Sequence, residues 1–284
     1  MISSTRYRAL AEIGRQTDLS RQIAKLQESV STGKTVTKAS DNPDAMQRIT
    51  EIRQTQADQV VWSANTNMGA SISSAADTQL GSIEDMLNHA KELLLNGRND
   101  TTSASDRTAI AAQLRAIVAN LNSASTAHDP TGAPLFPTGT PLSIPVSDTL
   151  SLPATAQRDT VFGNVTTSTG IQTLQQILSD AADRVEGSSA TRASDIQISL
   201  DSIDAGSAHV TQVRSDQGVR GARFDAAKDD LDSTGETLSE ERNGLESTDL
   251  TYALSEFQAK QTALQAAQTL FAQSNKTSLF NLIG

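Results

Sequence analysis

Few side chains in this sequence are able to carry out chemistry. Histidine is the residue best suited to move protons or hold a metal near neutral pH, and the chain has three, His89, His128 and His209. They lie far apart, and none has a second histidine at metal-ligand spacing, so structural or solvent roles fit them better. The paired carboxylates Asp229-Asp230 and Glu240-Glu241 would suit acid–base work or a cation. Nothing beside them supplies a pocket or a raised pKa, and they read as a solvated helix face. The run Asp216-Gln217-Gly218-Val219-Arg220-Gly221 lacks the preceding strand and the Lys-Ser/Thr ending of a phosphate loop. Cysteine is absent, which removes thiolate nucleophiles, disulfides and Cys-ligated metals. The residues therefore point to no catalytic site, no cofactor and no metal, and an enzyme is not expected.

Composition favours an extended assembly of helices over a large globule. Only 3% of residues are aromatic and 37% are hydrophobic, thin material for a wide core. A formal net charge of −10 argues against a general nucleic-acid binder, which must neutralise phosphates. The charge is uneven: residues 1–38 carry seven basic against three acidic side chains, while 39–248 carry fourteen against twenty-eight. The ends are thus expected to do a different job from the acidic middle. No apolar run reaches eighteen residues and the start lacks a secretory signal, so neither a membrane span nor a cleaved leader is expected.

The elements that would position any site are nearly all helical. A first helix runs through about Val30 and stops at Ser31-Thr32-Gly33, where glycine suits a left-handed helix end. Ser40-Asp41-Asn42-Pro43 starts a second, with a side-chain cap and proline at its first position. Val61, Asn65, Met68, Ile72, Ala76, Leu80, Ile83, Leu87, Ala90 and Leu94 keep steps of three and four until Asn96-Gly97, and Trp62 and Met68 read as packing residues. A run of that length exceeds an ordinary globular helix and suggests a coiled coil or long bundle. A shorter helix begins near Ser105-Asp106 with Ile110, Leu114, Ile117 and Leu121 on one side.

Six of the seven prolines fall between Pro130 and Pro153, and the segment to about Gly170 reads as a small β-rich or irregular insert. Leu142-Ser143-Ile144 and Thr160-Val161-Phe162 are its expected strands. Helix returns with Ile171, Leu174, Ile177, Leu178 and Val185. Ile196, Ile203, Val210, Gln217, Phe224, Leu231, Leu238, Leu245 and Tyr252 then recur every seven residues, the signature of a coiled-coil seam with one polar member. The phase changes at Glu246-Ser247-Thr248-Asp249, where Thr248 or Asp249 is placed to cap a fresh helix.

The chain thus reads as mainly α, an elongated antiparallel helical bundle or coiled-coil rod with a small β-rich or irregular insert at its apex and paired terminal helices. The expected segments are 1–42, a terminal assembly helix and linker; 43–127, the first half of the rod; 128–169, the insert; 170–247, the second half; and 248–284, a second assembly helix. Leu19, Ile23, Leu26 and Val30 stripe the first helix; Leu250, Leu254, Phe257, Leu264 and Phe271 stripe the last. With Leu279 and Phe280 they form the expected subunit-interface set, because thin stripes on terminal helices need a partner.

This order resembles the flagellin superfamily of bacterial flagellar axial proteins. Leu26 to Lys34 (LQESVSTGK) followed by Ser40-Asp41-Asn42-Pro43 is similar to that family's entry into its long helix, with Asn42 where the family usually has Asp. Asn65, Ile72, Ala75-Ala76-Asp77, Leu80, Ile83, Leu87 and Lys91-Glu92-Leu93 also match in order. The ending, Leu264-Gln265-Ala266 through Ser278-Leu279-Phe280-Asn281-Leu282, resembles the hook–filament junction members more than filament flagellins. The resemblance implies a secreted structural subunit of the bacterial flagellum, exported unfolded through the flagellar type III channel. It also implies partners: copies of itself in a ring, the first hook-associated protein, flagellin, and a cytosolic export chaperone on the C-terminal region, with no nucleic acid and no membrane. A filament flagellin and, from another class, a cytosolic coiled-coil scaffold or signalling adaptor are the alternatives.

Overall fold

The structure, a computed structural model, describes residues 2–99, 102–187 and 191–283. Its elements, in chain order, are α1 (Ile2–Thr32), α2 (Pro43–Gly97), α3 (Ala104–Ser125), β1 (Ser143–Pro145), β2 (Ser151–Pro153), α4 (Arg158–Phe162), β3 (Val165–Thr167), β4 (Gly170–Gln172), α5 (Leu174–Glu186), α6 (Arg192–Glu246) and α7 (Leu250–Ile283). The class is mainly α with a small β-rich insert, as the sequence suggests. Two compact units divide the chain, one of Met1–Ala57 with Gly235–Gly284 and one of Asp58–Thr234.

Residues 58–234 hold the larger core. Ile72, Ala76, Leu80, Ile83, Leu87 and Leu94 on α2, Leu114, Ile117 and Leu121 on α3, Leu174, Ile177, Leu178 and Val185 on α5, and Ile196, Ile203, Val210 and Phe224 on α6 merge into one buried cluster. Each set repeats at three, four or seven residues, so each helix buries one stripe. Truncating one such leucine or isoleucine to alanine costs about 2–5 kcal/mol. Antiparallel α2 and α6 are tied by Arg214 to Asp77 (3.1 Å) and Glu84 (2.7 Å), and by Lys91 to Asp204 (2.5 Å). The α6 seam is buried from Ile196 to Phe224. Its polar member, Gln217, is 1% exposed and donates from Nε2 to Ser73 Oγ (2.8 Å) and to the Ala154 carbonyl (2.7 Å).

The insert is built from two short antiparallel hairpins, β1 with β2 (Ile144 opposite Leu152) and β3 with β4 (Thr166 opposite Ile171). Hairpins this short do not stand alone in water. These are held because Phe136, Ile144, Leu152, Val161 and Phe162 join the helical core, with the Phe136 and Phe162 rings edge-to-face at 5.8 Å. Ser143 and Ile144 form strand as expected. Thr160-Val161-Phe162 is instead the end of a single helical turn, because Val161 and Phe162 are both buried, whereas a strand would send neighbours to opposite faces. Ile171 lies in β4, 72% exposed, and α5 starts three residues later at the Thr173–Gln176 capping box.

The insert does not cap the helix ends. Asn65 on α2 donates to the Pro145 carbonyl (3.0 Å), and His209 on α6 lies 2.9 Å from the Thr160 carbonyl. At about 1.5 Å per residue, Asn65 is about 48 Å along α2 from Gly97. The physical reason is the length of α3, which carries the chain back about 33 Å beside its neighbours before the insert begins. The insert therefore lies against the flanks of α2 and α6, where Gln217 and Asn65 find backbone carbonyls.

Candidate assembly interface

The smaller unit is organised around α1 and α7, which pack together. The chain entering and leaving them sets their direction. Gly33 ends α1 with φ +69°, a conformation most side chains avoid. Just beyond, Thr35 N donates to the Glu246 carbonyl (2.7 Å) and Thr248 N to the Gly33 carbonyl (3.0 Å). The end of α1 and the start of α7 are thus stapled, and the helices run antiparallel from there. Further along, Lys260 Nζ reaches Gln22 Oε1 at 2.6 Å.

Each helix start at this base has its own cap. Asn42 Oδ1 accepts from Ala45 N (3.1 Å) and Pro43 occupies the first position of α2. Of the two candidates, Asp249 caps α7, accepting from Tyr252 N at 3.0 Å. Thr248 instead pairs its hydroxyl with that of Thr35. Asp41 holds the linker: its carboxylate takes Lys25 Nζ (2.7 Å) and the backbone N–H groups of Thr37 (3.2 Å) and Lys38 (3.1 Å). The Lys25 ammonium, then the Thr37 amide, hold its pKa down to about 2.

Glu246 is the buried charge of this base, 3% exposed, with Lys34 at 2.5 Å and Arg53 at 2.7 Å. Burial pushes its pKa up, but hydrogen bonds from the two cations outweigh that and leave it below the usual carboxylate range. Arg48 grips Glu241 through two hydrogen bonds, at 2.6 and 2.9 Å. A small apolar cluster of Val36, Ala45 and Ile49, with Met46 and Leu245 against it, completes the base.

Leu19, Ile23, Leu26 and Val30 on α1 and Phe257, Leu264 and Phe271 on α7 are all half-buried, and these are the stripes of the packed pair. On α7 the stripe also takes in buried Ala253 and half-buried Lys260 and Ala267. Leu250 and Leu254 lie off it, 51% and 46% exposed. The side chains of Leu279 and Phe280 fall outside the described residues. Tyr7, Leu10 and Ile13 on α1 and Tyr252 and Leu270 on α7 are exposed too. Two helices alone cannot enclose an apolar seam, so both stripes keep contact with solvent and further apolar side chains flank them.

The three histidines occupy separate places. His89 is on α2 beside Glu92 (3.8 Å), His128 pairs with Pro134 in an isolated bridge, and His209 faces Thr160. Among the described residues no three His, Cys, Asp or Glu side chains gather as a metal site, and no helix is long and apolar enough to cross a membrane.

Two family models cover most of the chain: the bacterial flagellin N-terminal helical region matches residues 4–136, and the bacterial flagellin C-terminal helical region matches 200–283. The chain belongs to the flagellin family. Among solved structures, a Vibrio parahaemolyticus protein described as flagellar hook-associated superposes with TM-score 0.64 at 16% identity, over 73% of this chain and 100% of that one. Flagellar hook-associated protein-3 of Legionella pneumophila gives 0.61 at 14% identity, over 69% and 98%. Xanthomonas campestris FlgL gives 0.55 at 15% identity, over 60% and 93%. Comparison with curated proteins finds no significant match.

Proposed function

We propose that this chain is a structural subunit of the bacterial flagellum, working outside the cell at the junction between hook and filament. The observation that carries the reading is the α1–α7 pair, a two-helix element with half-buried stripes on both helices and exposed Tyr7, Leu10, Ile13, Leu254 and Leu270 beside them. Such a surface becomes stable when neighbouring copies cover it. Membership in the flagellin family and the likeness to hook-associated and junction proteins support this role, which is structural and not catalytic. In this reading segments 1–42 and 248–284 are assembly elements, 43–127 and 170–247 the helical body, and 128–169 an insert upon it.

Leu19, Ile23, Leu26, Val30, Leu250, Leu254, Phe257, Leu264, Phe271, Leu279 and Phe280 are the proposed subunit contacts. The partners are copies of the same chain in a ring, the first hook-associated protein on one side and flagellin on the other, with an export chaperone on the C-terminal region before secretion. Phe271→Asp places a charge on the α7 stripe, which does not belong to the unit that holds the larger core, so the helical body stays folded while filament attachment is lost. The test is complementation of a strain lacking its own copy, with circular dichroism of the purified variant as the folding control. Normal filament attachment by Phe271→Asp would refute the proposal. A second measurement separates the filament alternative: a purified junction subunit forms no long filaments by itself, whereas a filament flagellin does.

A further inference from the structure

Arg220 on α6 differs from two other arginines of the same unit, Arg115 and Arg214. Arg115 and Arg214 each bind two carboxylates, whereas Arg220 has no hydrogen bond or ion pair within the described residues, and its Nη1 is buried without a partner. A buried guanidinium N–H lacking an acceptor is costly, on the order of 1–3 kcal/mol or more for a charged group. Arg220 borders a cavity of about 400 Å³ formed with the insert, a volume within the ordinary range for small-ligand sites.

The rest of the wall is unusual for so acidic a chain. Thr140, Ser143, Thr155 and Thr160 bring hydroxyls and Gln157 an amide, and no carboxylate lines the cavity. Thr155 is 6% exposed, and its side chain makes no hydrogen bond within the described residues. One unneutralised guanidinium, a buried hydroxyl and further donors around a concave space are the elements of an oxyanion receptor, because the planar Arg fork matches two oxygens of a carboxylate or phosphate at once. We infer that this cavity binds a small oxyanion, held by the Arg220 guanidinium and hydrogen-bonded by the Thr155 hydroxyl. The group is either a free phosphate-like anion or a carboxylate presented by an acidic side chain; both offer oxygens to the part of the Arg220 fork that faces the cavity.

Titration calorimetry of the full-length protein at constant ionic strength tests this, with inorganic phosphate in one arm and N-acetylglutamate amide in the other. Saturable one-site binding of either probe is expected, and the tighter one identifies the tetrahedral or the planar anion. Arg220→Gln should weaken it at least ten-fold, Arg220→Lys less, and Thr155→Val about five-fold. Unchanged circular dichroism and melting in buffer without the probe show that loss in the variants is local. Absence of saturable binding to the unmutated protein for both probes overturns the inference whatever the variants do. So does binding that survives Arg220→Gln.

Discussion

Gly69 and Phe224 give the sharpest test of how α2 and α6 pack. A Cβ at Gly69 would lie 2.2 Å from Phe224 Cε1 and 2.6 Å from Cζ, against about 3.5–4.0 Å for an ordinary carbon contact. The ring edge would have to retreat by more than about 1 Å, yet Phe224 is fully buried and has no free direction. Two effects oppose each other in Gly69→Ala. Alanine gains about 0.5–1 kcal/mol in a helix interior, while overpacking a rigid aromatic loses about 1–3 kcal/mol. The expected outcome is a net loss of about 1–2 kcal/mol, or about 2–4 °C of melting temperature for each kcal/mol in a unit of this size. Trp62, the only tryptophan, lies in the same unit and is half-buried, so its fluorescence follows the relevant transition. Phe224→Leu trims the ring, and in its presence Gly69→Ala should cost less than alone, with a coupling of about 0.5–3 kcal/mol. A higher melting temperature for Gly69→Ala, or losses that add within about 0.5 kcal/mol, would refute the steric account.

Two further outcomes concern the base of the α1–α7 pair. Asp41 and Glu246 have folded pKa values below their ordinary ones, so their stabilisation is complete above about pH 4–5, where the unfolded chain is ionised, and fades as pH falls. For Asp41 the loss extends down to about 2. Amide exchange at residues 33–41, corrected for intrinsic rates, should therefore speed up between pH 5 and pH 3 relative to the core helices, and Lys25→Ala should shift the onset upward; equal protection at both pH values would count against the clamp. Asp249→Ala removes the α7 cap and should cost about 1 kcal/mol, read as about five-fold faster exchange at the Tyr252 amide. Asp249→Asn, which keeps an acceptor, should leave that amide unchanged.

The parts of the fold legible in the sequence are those signalled within a few residues. Gly33, Asn42-Pro43 and Asn96-Gly97 bound α1 and α2 because each acts on its own backbone, by a left-handed turn, a cap or a stop. The start of α5 is equally local, a capping box of Thr173 and Gln176; the apolar steps that begin at Ile171 extend the helix three residues too far, and Ile171 lies in β4. The seven-residue repeat holds as a buried seam to Phe224, is half-buried at Leu231, Leu238 and Leu245, and fails at Tyr252, which is 67% exposed. Asp249 restarts the helix there and so resets the phase.

What stayed hidden depends on partners distant in the chain. Glu246 sits in a polar stretch and looks like a surface residue; only Lys34 and Arg53, about two hundred positions earlier, make it a buried clamp. The α7 stripe shows the same limit among apolar residues. Hydrophobicity selects Leu254 and ignores Ala253, yet Ala253 is 5% exposed and Leu254 46%, because close approach of a second helix favours a small side chain on the facing line. Lys260 joins that line for a different reason: its stem covers apolar surface while the ammonium reaches Gln22 and Glu256. The periodicity therefore reveals that α7 has a packing face. Which of two adjacent residues lies on it is decided by the partner helix, so Leu250 and Leu254 remain available for a neighbour that α1 does not provide.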